Sequence, residues 1–479
     1  MQCPGQGRQG SEYVEPQSPA APAAGVIEAP LAQFDEGVRA AAALVREERG
    51  DSIPDPIVPL EPPVLDSALA EFYAAGAVTF RNGGQYKDLH WHLLDLMGNP
   101  WTQTTKTGPS LLMVARLIRH IRGTGERIMI VTPTSGNKGT ALRDAVGRAL
   151  DLGLVTDEHL RIVTVVPRPS RDKLRHSRLG TTSARCRRNP IVVQDTDRGD
   201  VVKRLVAELV EAESDELFRR TGFRLWNSLD LDNYRVADAT RAYVEQLCSP
   251  PPATGGRRTH LHSVSSAFGL LGYELGYRVL AGGGYNPTTQ EPWAHPAYFL
   301  VQQLATPDMV LSLRKGTFDR TALPPYRLDV DGLYRQDSDP AFPAVTHHPD
   351  ESLDPTFYTH RPATAAVFGE LVQRHGGGGI VVSLQECLTA YPRVRRMLAT
   401  VDVDLQADPR KIREWSLVKA FTGMMLAVDR GLLDNSGEVV VHGSGSYTDD
   451  SLAPALPETV RTARLPVELA AHVRAAAEA

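Results

Sequence analysis

The sequence predicts an α/β protein whose parallel sheets are covered by helices on both faces. From Ser110 onward, continuous apolar runs alternate with amphipathic stretches long enough to form helices. Apolar runs of this kind are strands buried on both faces, and the intervening helices supply the crossovers of βαβ units. Size is the second observation. A chain of 479 residues with 42% hydrophobic and 23% charged side chains can bury a sizeable core, divided over two or three domains.

The elements follow in order. Residues 1–30 are rich in Pro, Ala, Gly and Gln without periodicity and read as a disordered tail. A helix is expected around 33–48, then a Pro-rich connector over 54–63. SLLMVARLIRHI reads as an amphipathic helix and RIMIVTPT as a buried strand; the helix TALRDAVGRALDLG and the strand RIVTVVP come next. A basic loop, the strand PIVVQD and the helix GDVVKRLVAELVEA complete this run. A second α/β region starts near Arg224, with the helix ATRAYVEQL, a Pro/Gly linker and the strand HLHSV. Residues 316–362 are irregular and Pro-rich, the pattern of a long insertion. The chain closes with the helical stretch REWSLVKAFTGMMLAVDRG and the strand GEVVVHG.

Composition excludes several classes of function. A net charge of −5 argues against a nucleic-acid-binding surface. No run of 18 apolar residues is present, and the N-terminus lacks the apolar core of a secretory signal, so a cytoplasmic protein without a membrane span is expected. Cys3, Cys186, Cys248 and Cys387 are too scattered for a disulfide framework or a zinc site, and no metal is expected. His90 and His92, two apart, would share a face only on a strand and are not expected to bind a metal, while His347, His348 and His360 and the arginines between Arg171 and Arg188 read first as solvated side chains. Of 52 basic residues only eight are lysines, which limits lysine chemistry to eight candidates.

Four segments are hydroxyl-rich turns containing glycine, of the sort that lead from a strand or loop into a helix. They are Thr104–Gly108, Pro133–Gly139, Ser265–Gly269 and His442–Ser446. Turns of this kind expose backbone N–H groups at a helix N-terminus, a cradle for anions. Taken singly, each is an ordinary capped turn. The second is no nucleotide phosphate loop, because Lys138 is followed by Gly139 rather than by Ser or Thr.

Together and in order, the segments resemble the pyridoxal-phosphate enzymes of fold type II, the tryptophan synthase beta, cysteine synthase and threonine synthase superfamily. PTSGNKGTAL is similar to that family's Ser-Gly-Asn loop, and Lys106, 31 residues before Asn137 and downstream of Asn99-Pro100, matches its Schiff-base lysine. VVPRPSRDKLRHSRLG matches through Pro167, Ser170, Lys173 and Gly180, and NSLDLDNYRVADATRAYVEQL through Asn227, Ser228 and Arg235. VSSAFGLLGYELG resembles the phosphate loop and EVVVHGSGSYTDD the C-terminal strand and turn, the whole standing nearest to threonine synthase.

The resemblance implies two three-layer α/β/α domains with mostly parallel sheets and the cofactor in the cleft between them. It divides the chain into a large cofactor-binding domain over 31–107 and 223–479 and a small one over 108–222. Pyridoxal 5'-phosphate would join Lys106, which also acts as general base. Asn137, Ser265, Ser266, Ala267, Phe268, Gly269, His442 and Ser444 would hold the cofactor. Thr134, Ser135, Gly136, Lys138 and Gly139 would receive an amino-acid substrate. The implied activity is elimination or replacement at Cβ or Cγ, carried out by a homodimer.

The sequence also departs from the pattern. Lys106 is followed by Thr107-Gly108, the phosphate loop carries Ser266-Ala267 for the usual Gly-Asn, and His442 replaces a hydroxyl facing the cofactor's ring nitrogen, with Ser444 two residues on. Lys87, in a local Lys-Asp match, therefore competes with Lys106, and His442 with Ser444. The departures point to a specialised substrate in secondary metabolism. The rival readings are an inactive relative that binds a metabolite or partner, and a nucleotide-binding α/β protein.

Overall fold

The computed structural model describes residues 25–50, 58–228, 231–249, 257–292, 294–357, 359–434 and 436–479. Two sheets carry the molecule. The larger has seven strands in the order Gly25–Ile27, Val78–Tyr86, Leu89–Asp95, Gly437–Gly443, Arg258–Ser263, Ala297–Gln303 and Gly377–Val382. Its last five strands are parallel, and the first two add antiparallel at one edge. The smaller sheet has five parallel strands in the order Val460–Ala463, Ile191–Gln194, Leu160–Pro167, Arg127–Pro133 and Phe223–Asn227.

Each sheet is the middle of three layers, because its strands are apolar on both faces. In the strand Gly437–Gly443, Val440 packs into one core with Leu300, Val279 and the helix Phe268–Ala281. Its neighbours Val439 and Val441 pack into another core with Phe421, Met424 and the helix Ser416–Asp429. In the smaller sheet Ile128 and Ile130 face the helices Thr107–Thr124 and Asn137–Asp151, while Met129 and Val131 face Gly199–Thr221 and Pro466–Glu478. The period of two along a strand turns an unbroken apolar run into two cores.

The α/β architecture read from the sequence is thus the observed one, with differences at the edges. Residues 1–24 of the expected tail and 54–57 of the expected connector lie outside the described residues. Residues 25–30, counted with the tail, instead form an edge strand and begin the helix Pro30–Gln33. The expected division of the chain also shifts, because Phe223–Asn227 and Val460–Ala463 pair in the smaller sheet rather than the larger. The helix Pro466–Glu478 returns with the latter to cover that sheet, burying Leu469, Val473 and Ala476. The 316–362 segment is ordered among its described residues around a small antiparallel sheet, Arg327–Leu328, Tyr334–Arg335 and Val345–Thr346. No helix among the described residues is long and apolar enough to cross a membrane.

Candidate active site

The four turns singled out in the sequence converge on one cavity of about 190 Å³. The turn after Arg127–Pro133 and the loop after Arg258–Ser263 leave the carboxyl ends of parallel strands and enter helices Asn137–Asp151 and Phe268–Ala281. Ser444 follows the carboxyl end of Gly437–Gly443, and Lys106 immediately precedes the helix Thr107–Thr124. Open parallel sheets place binding sites at this end because strands stop there and helix N-termini point inward. The Thr105 N–H donates to the Ser444 carbonyl at 2.9 Å, which ties the lysine segment to the end of the strand Gly437–Gly443.

Of the residues expected at the site, Lys106, Thr134, Ser135, Asn137, Lys138, Ser265, Ser266, Ala267, Phe268, Gly269 and Ser444 line the cavity. Among the described residues the lining holds three lysines (Lys106, Lys138 and Lys203) and no carboxylate. Burial pulls the Lys106 amine below its ordinary value, with Arg241 adding to the effect and the Asp238 and Glu414 carboxylates opposing it. Its Nζ lies 4.9 Å from the centre of the Tyr234 ring. Lys138 falls to about 7, through burial first and then the Lys203 and Lys106 charges, and its Nζ donates to Ser228 Oγ at 3.2 Å.

Lys87, the rival for Lys106, sits on an exposed turn with φ +53° and pairs with Asp429 at 2.6 Å. It does not line the cavity. His442 is fully buried behind the cavity wall rather than in it: Nδ1 lies 3.2 Å from Arg241 and Nε2 3.1 Å from His260 Nδ1. Ser444, by contrast, lines the cavity, as do Ser263 and His262, and among the described residues Ser444 Oγ, Ser263 Oγ and His262 Nδ1 are buried without a hydrogen-bond partner.

Three other expectations meet a different arrangement. The N–H groups of Gly136 and Gly139 are turned inward and donate to Thr134 Oγ1 at 3.1 and 3.0 Å, and neither glycine lines the cavity. Gly136 is obligatory at φ +132°, where a Cβ would lie 2.5 Å from the Lys173 Cβ. The Asn137 amide donates to Glu414 at 2.6 Å and accepts from the Tyr447 hydroxyl at 2.8 Å. Glu414 and Asp354 in turn hold Lys173, at 3.2 and 3.0 Å.

A scan against family models matches residues 26–477 to a family of unknown function, DUF6002. The chain belongs to the DUF6002 family. No curated protein matches it. Among solved structures, this DUF6002 chain is similar to the pyridoxal-phosphate-bound threonine synthase of Brucella melitensis and to the Escherichia coli threonine synthase. Each is 14% identical over 92% of this chain and 89% of that one, with a TM-score of 0.49. A fungal L-serine ammonia-lyase from Rhizomucor miehei is 12% identical over 81% of this chain and 94% of its own, with a TM-score of 0.44.

Sequence reasoning missed the contribution of the 316–362 segment of this DUF6002 chain. Thr356, Phe357 and Thr359 line the cavity, and Asp354 lies in the ion-pair cluster beside it. Thr359 meets Ser265 through their hydroxyls at 2.9 Å, and Thr364 just beyond the segment donates to the Ser266 carbonyl at 2.7 Å, so the loop from Ser265 to Gly269 is held from this side. Tyr234, Lys203, His262, Ser263 and Ser416 also line the cavity. Lys419, on the helix after Ser416, places its Nζ 3.1 Å from the centre of the Phe357 ring and is pulled down by burial to about 8. Five of the chain's eight lysines (106, 138, 173, 203 and 419) therefore lie in or against this site.

Proposed function

We propose that this cavity binds pyridoxal 5'-phosphate and carries out elimination or replacement at Cβ or Cγ of an amino-acid substrate, in the manner of threonine synthase. The single observation that carries the reading is Lys106. It is a lysine with a depressed pKa, preceding a helix, in a cavity with no carboxylate among its described lining, where the Ser-Gly-Asn turn and the loop from Ser265 to Gly269 meet. The residues fit the cofactor. Ser444, Ser263 and His262, which line the cavity, carry buried polar atoms without a hydrogen-bond partner among the described residues, and the N-terminus of a 14-residue helix opens onto it.

Lys106 would hold the cofactor covalently, and its amine, released by the substrate, would take the proton from the substrate Cα; burial favours the neutral amine that both tasks need. The backbone from Ser265 to Gly269 would receive the phosphate. Ser135 and Lys138 would meet the substrate carboxylate. The cofactor, when bound, supplies the sink for negative charge developing at Cα. Ser444 would face the ring nitrogen, and a neutral hydroxyl does not keep that nitrogen protonated. This biases the site toward expelling a leaving group rather than transamination. His442 is neutral, held well below its ordinary pKa by burial and by Arg241, and its ring is occupied on both nitrogens. A homodimer, a cytoplasmic location and a specialised, secondary-metabolic substrate belong to the same proposal through the resemblance and the composition alone.

The test is titration with pyridoxal phosphate followed by borohydride reduction and peptide mapping. The reading expects a visible absorbance band and a label on Lys106. A label on Lys138 overturns the assignment, and no label on any lysine overturns the reading. The second reading, a metabolite-binding protein without turnover, is favoured by one observation: the Asn137 amide, expected to contact the cofactor, is engaged by Glu414 and Tyr447. It expects the label on Lys106 with no exchange of substrate Cα hydrogen for any amino acid.

A further inference from the structure

Two departures from the resembled pattern, Ser266-Ala267 in the loop from Ser265 to Gly269 (hereafter the anion loop) and His442 on the strand Gly437–Gly443, lie on segments that flank one side chain. Arg241, on the helix Thr240–Cys248, is 2% exposed. Its Nη2 donates to Thr105 Oγ1 at 2.7 Å, beside Lys106, and pairs with Asp238 at 2.9 Å. Its Nη1 donates to His442 Nδ1 at 3.2 Å. Since a guanidinium only donates, His442 Nδ1 accepts, its proton sits on Nε2, and that N–H donates to His260 Nδ1 at 3.1 Å. His260 Nε2 then faces Glu245 at 3.5 Å. A hydroxyl at position 442 would not span from Arg241 to His260 in this way.

The other face of the guanidinium lies against the anion loop. A Cβ on Gly269 would fall 2.7 Å from Nη1, 2.8 Å from Nη2 and 3.0 Å from Cζ. Gly269 is the second residue of the helix Phe268–Ala281, in the first turn, whose N–H groups have no partner within the helix. Ala267, at the cap of that helix, holds φ +56° without the glycine or asparagine that favours this region.

Resting on the cofactor reading above, we propose that Arg241 is a positioning residue for the phosphate end of the site. It sets a fixed positive charge behind the first turn of the anion-loop helix, is aimed by His442, and offsets the loss of the Gly-Asn pair. It acts through the loop backbone and through Thr105, without touching the phosphate.

Parallel titrations of wild type, Arg241→Met, Arg241→Lys and His442→Asn with pyridoxal phosphate and with pyridoxal, which lacks the phosphate, test the assignment. The expected result for Arg241→Met is an affinity for pyridoxal phosphate lower by about tenfold or more, with pyridoxal affinity changed by less than about twofold. Arg241→Lys keeps the charge and recovers part of the loss; His442→Asn, which keeps an acceptor near Nδ1, shows a smaller one. Equal losses for both ligands in Arg241→Met and Arg241→Lys make the residue merely structural and overturn the inference, as does an unchanged ratio. A wild type that takes up neither ligand removes the cofactor reading itself, and this inference with it.

Discussion

Lys106 and Lys173 are both withdrawn from solvent on neighbouring sides of one cleft, and their amines are driven in opposite directions. Burial lowers Lys106, and no carboxylate bonds to it among the described residues. Burial acts on Lys173 too, but Asp354 and Glu414 at 3.0 and 3.2 Å outweigh it and raise that amine well above the ordinary value. The first arrangement favours a neutral amine; the second fixes an ammonium ion as a structural knot. Desolvation alone does not decide the charge of a buried lysine; the presence or absence of bonded carboxylates sets the two amines apart here.

Substitutions sharpen the contrast. Lys106→Ala is expected to abolish reductive labelling and to lower any Cα hydrogen exchange by about a thousandfold or more, measured by peptide mapping and by deuterium uptake. Lys87→Ala should alter neither. Glu414→Gln or Asp354→Asn should leave labelling of Lys106 in place while costing about 3 kcal/mol in urea denaturation, because a buried ammonium loses a partner. Loss of labelling without loss of stability in these variants would break the distinction.

Lys138 provides a pH test. Its pKa falls from an ordinary 10.5 to about 7 in the folded chain. Between those values the unfolded chain binds the additional proton, so this residue makes stability rise with pH above about 7. The urea midpoint of Lys138→Met, compared with wild type from pH 7 to 10, should lack that component of the rise. The smallest effect is expected at Ala267, whose φ of +56° carries steric strain. Ala267→Gly should raise stability by no more than about 1 kcal/mol, measured by thermal denaturation.

Much of the site was legible in the sequence because its parts are local. A strand, a hydroxyl-rich turn and a helix fit within about a dozen residues, and all four turns reached the cavity. What joins distant segments was not legible. Asp354 and Lys173 are 181 residues apart, and nothing in the Pro-rich 316–362 pattern marks the aspartate as their meeting point. Lys87 matched a local motif, but the antiparallel pair Val78–Tyr86 and Leu89–Asp95 puts it on a solvent turn. The return of Val460–Ala463 to the smaller sheet was hidden by its length, because four residues carry too little periodicity to announce a strand. Gly139 fits a motif by residue type, yet its N–H serves Thr134, a matter of hydrogen-bond direction that residue type does not show.

The distribution of lysines has a practical outcome. With five of eight withdrawn into or against the cleft, only Lys87, Lys315 and Lys411 stand exposed on the native surface. A lysine-specific protease should therefore nick the folded chain at no more than those three bonds and reach the other five only after the cleft has opened. The pattern of early and late fragments, read by mass, becomes a clock for that opening.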